Sequence, residues 1–312
     1  MNFSKLKKEL IDKSSCEIIE DVLLKQYTSF DIGGFAALFT TLSNKKNASM
    51  LIKTASRLNI PLLLIGGGTN LLVSDSGFNG LAVKTAFSGL KISDDKMMIT
   101  AGSSHSAADL VQSAVDEGLK GLEFAAGLPG TVGGAVAGNA GCFGSSFGDQ
   151  LISATIIDNK GELLKVKKEL FQFAYRHSFA KERDFLIVDA TFSVAKGDKK
   201  QLQDILQKHL ELRRTKHPSK EIKTAGSYFK NLSPLNPGER RRASGALLEA
   251  AGAKNQSVGD AAVFEKHANI IVNRGSATAK DVLKLENILK QLVLKKFNIK
   301  LDPEVRFIGN RF

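Results

Sequence analysis

The sequence contains no tryptophan, few aromatic residues (7%) and only two cysteines in 312 residues. The aromatic shortage argues against an extended surface for single-stranded nucleic acid, where successive bases stack on rings. Cys16 and Cys142 lie far apart and form no C-x-x-C pair, and the histidines at 105, 177, 209, 217 and 267 have no metal-ligand spacing. No metal site is expected from that pattern. A disulfide framework does not suit a chain of this length, so a reducing compartment is expected. No run approaches the ~20 apolar residues that cross a bilayer. The opening MNFSKLKKELIDKSS lacks an apolar stretch of secretory-leader length. A cytoplasmic protein with no membrane partner is therefore expected. No Gly-Lys-Ser or Gly-Lys-Thr occurs anywhere, which excludes a P-loop.

What is present is a basic, glycine-rich chain. Hydrophobic residues make up 43%, enough for a substantial core, and the formal net charge is +12. The charge is spread over the chain, and its short runs at Lys5–Lys8, Lys196–Lys200 and Arg240–Arg242 read as solvated surface. A basic balance suits an anionic partner: nucleic acid, a membrane surface or a phosphorylated small molecule. The length allows two or three units at roughly 100–150 residues per domain. Apolar periodicity predicts helices over 4–12, 47–58, 107–115, 201–214, 245–251 and 278–296, the last opened by a Thr278…Asp281 capping pattern. Strands are predicted at 61–65, 71–73, 81–84, 97–100, 151–157, 185–193 and 303–308, and 215–245 reads as loop. The composition shifts near residue 195, where the main boundary is expected.

Two glycine segments stand out. Ile65-Gly66-Gly67-Gly68-Thr69-Asn70 follows a strand, but Leu71 occupies the third glycine of a G-x-G-x-x-G fingerprint. A tight strand-to-strand turn and an anion-binding loop explain it equally well. The segment Gly121–Gly148 is Gly or Ala at half its positions. Glycine costs roughly 0.5–1 kcal/mol of backbone entropy per position in regular structure. So dense a run points to a large ligand against bare backbone, with close packing of two elements as the alternative. Elsewhere Ser227 lies in Gly-Ser-Tyr-Phe without a G-x-S-x-G elbow, so a triad nucleophile is not indicated. Arg176 in Tyr-Arg-His-Ser and Glu304 in Pro-Glu-Val-Arg put charge into strand-like context, which needs a partner or a function. His209 sits on an amphipathic pattern and reads as structural.

Seven segments together carry a resemblance: Tyr27–Gly34, Ile65–Val73, Gly121–Gly144, Tyr175–Ser178, Gly226–Asn231, Lys266–Asn273 and Pro303–Gly309. In this order they resemble the UDP-N-acetylenolpyruvoylglucosamine reductase family, also called UDP-N-acetylmuramate dehydrogenases. The resemblance implies an α+β fold. A two-subdomain FAD-binding region of the p-cresol methylhydroxylase/vanillyl-alcohol oxidase type (1–194, split near 85) would precede a C-terminal α+β substrate-binding domain (195–312). It implies noncovalent FAD held by Ile65, Gly66, Gly67, Gly68, Thr69, Asn70, Gly127, Gly130, Thr131, Gly133, Gly134, Ala135, Asn139, Ala140 and Gly141.

The implied reaction serves peptidoglycan precursor synthesis. NADPH gives hydride to flavin N5, and the reduced flavin passes it to C3 of the enolpyruvyl ether. Ser227 would donate the proton to C2. Arg176 and Glu304 would stand at the enolpyruvyl carboxylate, where a guanidinium binds two-point. Glu304 would have to be protonated to stabilise an enolate directly. Tyr175, Lys216, Asn231, Arg306 and His267 match substrate contacts. A monomer acting on a UDP-sugar and NADPH, without nucleic acid, is expected. Leu232, Asn255-Gln256 and Val263-Phe264-Glu265 depart from the family's usual residues. The chain's length matches the branch that lacks an inserted loop with a Tyr lid. Another flavin oxidase would share the glycine segments without combining Ser227, Arg176 and Glu304. A nucleic-acid-binding protein would account for the charge but not for the glycines.

Overall fold

Helical spacing and alternating apolar residues are realised in a computed structural model that describes residues 3–181 and 185–310. The chain forms two units. Residues up to Val22, with Ala36–Gly67 and Asn79–Arg213, make the first; Leu23–Phe35, Gly68–Phe78 and the residues from Arg214 make the second.

The first unit is built on two larger sheets. One, drawn from residues 19–85, has the strand order Ile19–Leu23, Phe35–Leu42, Phe78–Thr85, Leu62–Ile65. Its last two strands run parallel, with Ile65 opposite Lys84. Helices Phe3–Ser14 and Lys45–Arg57 share a core with it through Leu10, Leu51 and Ile52, against Leu38, Leu81 and Val83. The other sheet runs Leu163–Lys167, Leu151–Ile157, Leu186–Ser193, Met98–Gly102, Leu90–Ile92, antiparallel throughout. Helix Ala107–Asp116 packs Leu110 and Val111 into a core shared with Ile99, Ala190 and Val136 of the short helix Val132–Gly138.

The composition shift near residue 195 suggests a boundary there, but the units divide between Arg213 and Arg214. The reason is packing: Leu202 and Leu206 of helix Lys199–Lys216 enter the first unit's core. A linear split into 1–194 and 195–312 also misses that Leu23–Phe35 and Gly68–Phe78 belong with the C-terminal residues.

The second unit is built on a four-stranded antiparallel sheet, ordered Lys223–Ser227, His267–Asn273, Ala261–Phe264, Ser257–Val258. Helix Ala279–Phe297 buries Val282, Leu285, Leu289 and Val293 in a core with Tyr228, Phe229, Leu248 and Ile271. Its Thr278–Asp281 capping box forms as expected. Strand Lys223–Ser227 lies within 215–245, where the sequence suggests only loop. The segment Lys-Thr-Ala-Gly-Ser has no apolar alternation, and it becomes a strand by pairing with His267–Asn273.

The two early segments are tied into this unit by hydrogen bonds. Ser29 Oγ donates to the Thr224 carbonyl (2.6 Å), and Asn273 Nδ2 donates to the Phe30 carbonyl (3.2 Å). The Asp75 carboxylate accepts from the N–H groups of Ala279 (2.7 Å) and Lys280 (3.0 Å), satisfying first-turn donors of the long helix. Leu71–Val73 pairs in parallel with Arg306–Ile308.

Candidate functional site

Strand Leu62–Ile65 ends on a buried Ile65, whose side chain belongs to the core. The chain then lies against the second glycine segment. A Cβ at Gly66 would stand 2.5 Å from Thr131 Oγ1, and one at Gly67 would stand 2.7 Å from Gly130 Cα. Gly133 is closed off in the same way by Ser103 Cβ at 2.7 Å, and Gly141 by the Ser145 carbonyl at 2.5 Å. Gly127 and Gly130 have φ of 62° and 106°, a region that L-residues avoid. Close packing of two segments therefore explains part of the glycine run. It does not explain all of it: Gly134 has only Thr131 Oγ1 nearby, at 3.5 Å, and Gly138 has nothing within 4 Å.

Thr131 caps the short helix Val132–Gly138 by accepting from the Gly134 N–H (3.4 Å). Ala135 is buried, and its carbonyl accepts from the Ala140 N–H (2.8 Å) as the helix ends. Asn139 follows in the left-handed conformation and is only 7% exposed. Its side-chain amide is spent inside the protein: Nδ2 donates to the Ala174 carbonyl (2.8 Å), and Oδ1 accepts from the Gly148 N–H (3.0 Å).

Ala174 begins the turn that carries Tyr175 and Arg176. The N–H groups and carbonyls of Ala174 and His177 exchange two bonds of 3.1 Å, leaving Tyr175 and Arg176 at the tip. Arg176 has φ 54°, its guanidinium lies 5.4 Å from the Tyr175 ring centroid, and its carbonyl accepts from Lys181 Nζ (2.8 Å).

The second unit carries Gly68, Thr69 and Asn70 and the remaining expected residues. Gly68 accepts from the Ser29 N–H (3.1 Å), and a Cβ there would stand 2.0 Å from the Tyr27 carbonyl. Ser227 ends strand Lys223–Ser227 after a register shift, with Gly226 at φ 78° re-aiming the chain. The Tyr228 carbonyl, next to Ser227, accepts from the Glu304 N–H (2.7 Å). The backbones carrying Ser227 and Glu304 are thus directly tied. Asn70 holds the same stretch: its Nδ2 donates to the Glu304 carbonyl (3.2 Å), and its own carbonyl accepts from the Arg306 N–H (3.0 Å).

Asn231 Oδ1 accepts from the Ser244 N–H (3.2 Å) at the start of helix Ser244–Ala250. Lys216 is exposed at the end of its helix. His267 is partly buried, 5.6 Å from the His217 ring, and its Nδ1 accepts from the Asn269 N–H (3.2 Å). That acceptor role puts the neutral ring's proton on Nε2. Burial above all, with the Lys216 charge adding to it, holds His267 below the usual imidazole range. A depression of about 450 Å³ on this unit, lined by Ile222, Val263, Phe264 and Val272, contains none of the expected site residues.

Sequence reasoning missed several polar groups beside the glycines. Lys84 donates to the Gly66 carbonyl, and burial lowers its pKa. Its signal is a lone Lys in the apolar strand Phe78–Thr85. Ser103 Oγ, Ser104 Oγ and His105 Nε2 are buried without a hydrogen-bond partner. They sit in the segment whose Ser103 and His105 carbonyls accept from Gly133 (2.8 Å) and Val132 (2.9 Å). Nothing in their composition marks them; burial alone does.

Comparison with known proteins gives this geometry its class. Residues 36–167 match the family model of the FAD binding domain, and residues 217–308 match that of the UDP-N-acetylenolpyruvoylglucosamine reductase C-terminal domain. The chain is a flavin-dependent oxidoreductase, with the α+β FAD-binding fold expected of it. It is 35% identical to the UDP-N-acetylenolpyruvoylglucosamine reductase of Clostridium novyi, covering 99% of this chain and 97% of that one. It is 38% identical to the enzyme of the same name from Heliobacterium modesticaldum, covering 92% and 89%. The crystal structure of the Thermus caldophilus enzyme superposes with a TM-score of 0.79 at 29% identity, covering 94% of this chain and all of that one. The chain belongs to the UDP-N-acetylenolpyruvoylglucosamine reductase family.

The residues of the first unit fit FAD. Gly134 and Gly138 leave bare backbone next to the packed glycines. Three consecutive residues beside them hold buried polar atoms without protein partners. Each such atom costs on the order of 1–3 kcal/mol when it stays unsatisfied, a cost that a polar ligand offsets.

Two predictions arise here. Gly67→Ala forces a Cβ into the Gly130 backbone, so it lowers both the melting temperature and the flavin retained after gel filtration. Gly138→Ala meets open space in a helix, so it leaves apoprotein stability unchanged or raises it by about 0.5–1 kcal/mol. Equal damage from both would contradict the packing argument. For His267, the unfolded imidazole takes a proton at higher pH than the folded one. The stability it contributes is present above about pH 6.5 and falls as pH drops below that value. His267→Gln should flatten this acid-side decline in urea unfolding; an unchanged slope would show that the buried imidazole does not cause it.

Proposed function

We propose that the enzyme reduces UDP-N-acetylglucosamine enolpyruvate to UDP-N-acetylmuramate with NADPH, a step in peptidoglycan precursor synthesis. The observation that supports this most directly is the bond from the Glu304 N–H to the Tyr228 carbonyl, which ties the backbone of Glu304 to that beside Ser227. Family membership across nearly the whole chain supports the same substrate.

Bound FAD supplies hydride transfer from NADPH to C3 of the enolpyruvyl group. In this reading Ile65–Asn70, Gly127, Gly130, Thr131, Gly133–Ala135, Ala140 and Gly141 hold it noncovalently. Hydride arrival at C3 builds negative charge toward the carboxylate. Arg176 binds that carboxylate in two-point fashion and stabilises the growing charge. Glu304, in its protonated form, donates to the same end. Ser227 delivers the proton to C2. Tyr175, Lys216, Asn231, Arg306 and His267 hold the sugar nucleotide, and the net charge of +12 favours two polyanionic ligands. The reading includes a cytoplasmic, monomeric enzyme that acts on small molecules alone.

The test is steady-state NADPH oxidation, which should depend on added UDP-N-acetylglucosamine enolpyruvate. Oxidation unaffected by that substrate would overturn the proposal. Ser227→Ala should keep its FAD and its reduction by NADPH while turnover falls by about 10²–10⁴-fold. Unchanged turnover in this variant would remove Ser227 from the proton-donor role.

A further inference from the structure

The helix Val132–Gly138 has glycine neighbours at its start and the Tyr175–Arg176 turn at its end. Two side-chain bonds connect that end to the turn. Asn139 Nδ2 donates to the Ala174 carbonyl (2.8 Å), immediately before Tyr175, and the buried Ser178 donates through Oγ to the Ala137 carbonyl (2.7 Å), just after His177. The turn is therefore held on both flanks by adjacent parts of one helix terminus. The arrangement is tightly specified. Asn139 adopts φ 44°, which Asn and Gly tolerate better than other residues. A Cβ at Gly148 would stand 2.9 Å from Asn139 Oδ1 and 2.6 Å from the Phe173 ring, so Gly148 leaves the room that Asn139 needs.

A resemblance-based assignment makes Asn139 a cofactor contact. Its side chain commits one donor and one acceptor to backbone, and the residue is only 7% exposed. We infer that Asn139 is a positioning residue for Arg176, with Ser178 as its second tether, and that the two fix the Arg176 turn relative to the glycine segment that carries the flavin. The inference rests on the proposed role of Arg176 at the substrate carboxylate. A carboxylate clamp must be held close to its productive position, and misplacement by about 1 Å can cost on the order of a hundredfold in rate. The turn closes on itself through the Ala174–His177 bridge, and these tethers, with the Lys181 bond to the Arg176 carbonyl, join it to its surroundings.

Asn139→Asp keeps the side-chain shape and the acceptor for Gly148 while removing the donor to Ala174. The holoenzyme variant should retain FAD with affinity within about threefold of the parent and be reduced by NADPH at a similar rate. Reoxidation of its flavin by UDP-N-acetylglucosamine enolpyruvate should slow about ten- to a hundredfold. Arg176→Lys should produce a deficit in the same half-reaction. The double variant should be clearly less impaired than the product of the two single effects, as expected for residues acting through one another. Ser178→Ala should give the same split between the half-reactions, and it carries the test if Asn139→Asp does not fold. Loss of FAD affinity with reoxidation intact would make Asn139 a cofactor ligand and overturn the inference, as would multiplicative effects in the double variant. Failure of the parent enzyme itself to be reoxidised would instead count against the proposed substrate.

Discussion

Backbone meets backbone where Gly67 faces Gly130, and the first unit's site depends on that contact. The approach is possible because Gly67 carries no Cβ; a methyl group there would lie 2.7 Å from the opposing Cα. From it follow the placement of Thr131 beside Gly66, the cap that Thr131 provides for the short helix, and the burial of Val132 and Val136 beneath it. In the proposed reading, the glycine-lined surface lets main chain, rather than side chains, meet the cofactor. The unpartnered hydroxyls of Ser103 and Ser104 and the imidazole of His105 lie at the same place, on the segment that receives the helix's first N–H groups.

The second unit solves a different problem. Its candidate residues sit on three stretches distant in sequence, around Asn70, Ser227 and Glu304, and main-chain bonds draw them together. The Tyr228 carbonyl accepts from Glu304, and Asn70 holds the same stretch at Glu304 and Arg306. Insertion of Leu23–Phe35 and Gly68–Phe78 into this unit explains why early residues stabilise late ones, as the Asp75 contact with the helix at Ala279 illustrates.

Local chemistry was legible in the sequence wherever a periodic pattern and its punctuation agreed. The helix Ala279–Phe297 announces itself by apolar spacing and by Thr278 with Asp281. The strand Lys223–Ser227 does not, because only its neighbour makes it a strand. The boundary near 195 follows composition, but Leu202 and Leu206 obey packing, which composition does not record. The two glycine segments were visible as unusual, whereas their division into packed glycines and open ones requires coordinates. Asn139 shows the same limit most clearly: the resemblance makes it a cofactor contact, whereas its side-chain bonds to Ala174 and Gly148 are visible only in the structure.

In the proposed reaction, a flavin seated on the first unit's glycine backbone passes its reducing equivalents to an enolpyruvyl sugar nucleotide. The most direct measurement is anaerobic: bleach the purified protein's visible flavin band with one equivalent of NADPH, then add UDP-N-acetylglucosamine enolpyruvate. The oxidised band should return in full, with one UDP-N-acetylmuramate formed per flavin. A band that stays bleached until air is admitted would contradict it.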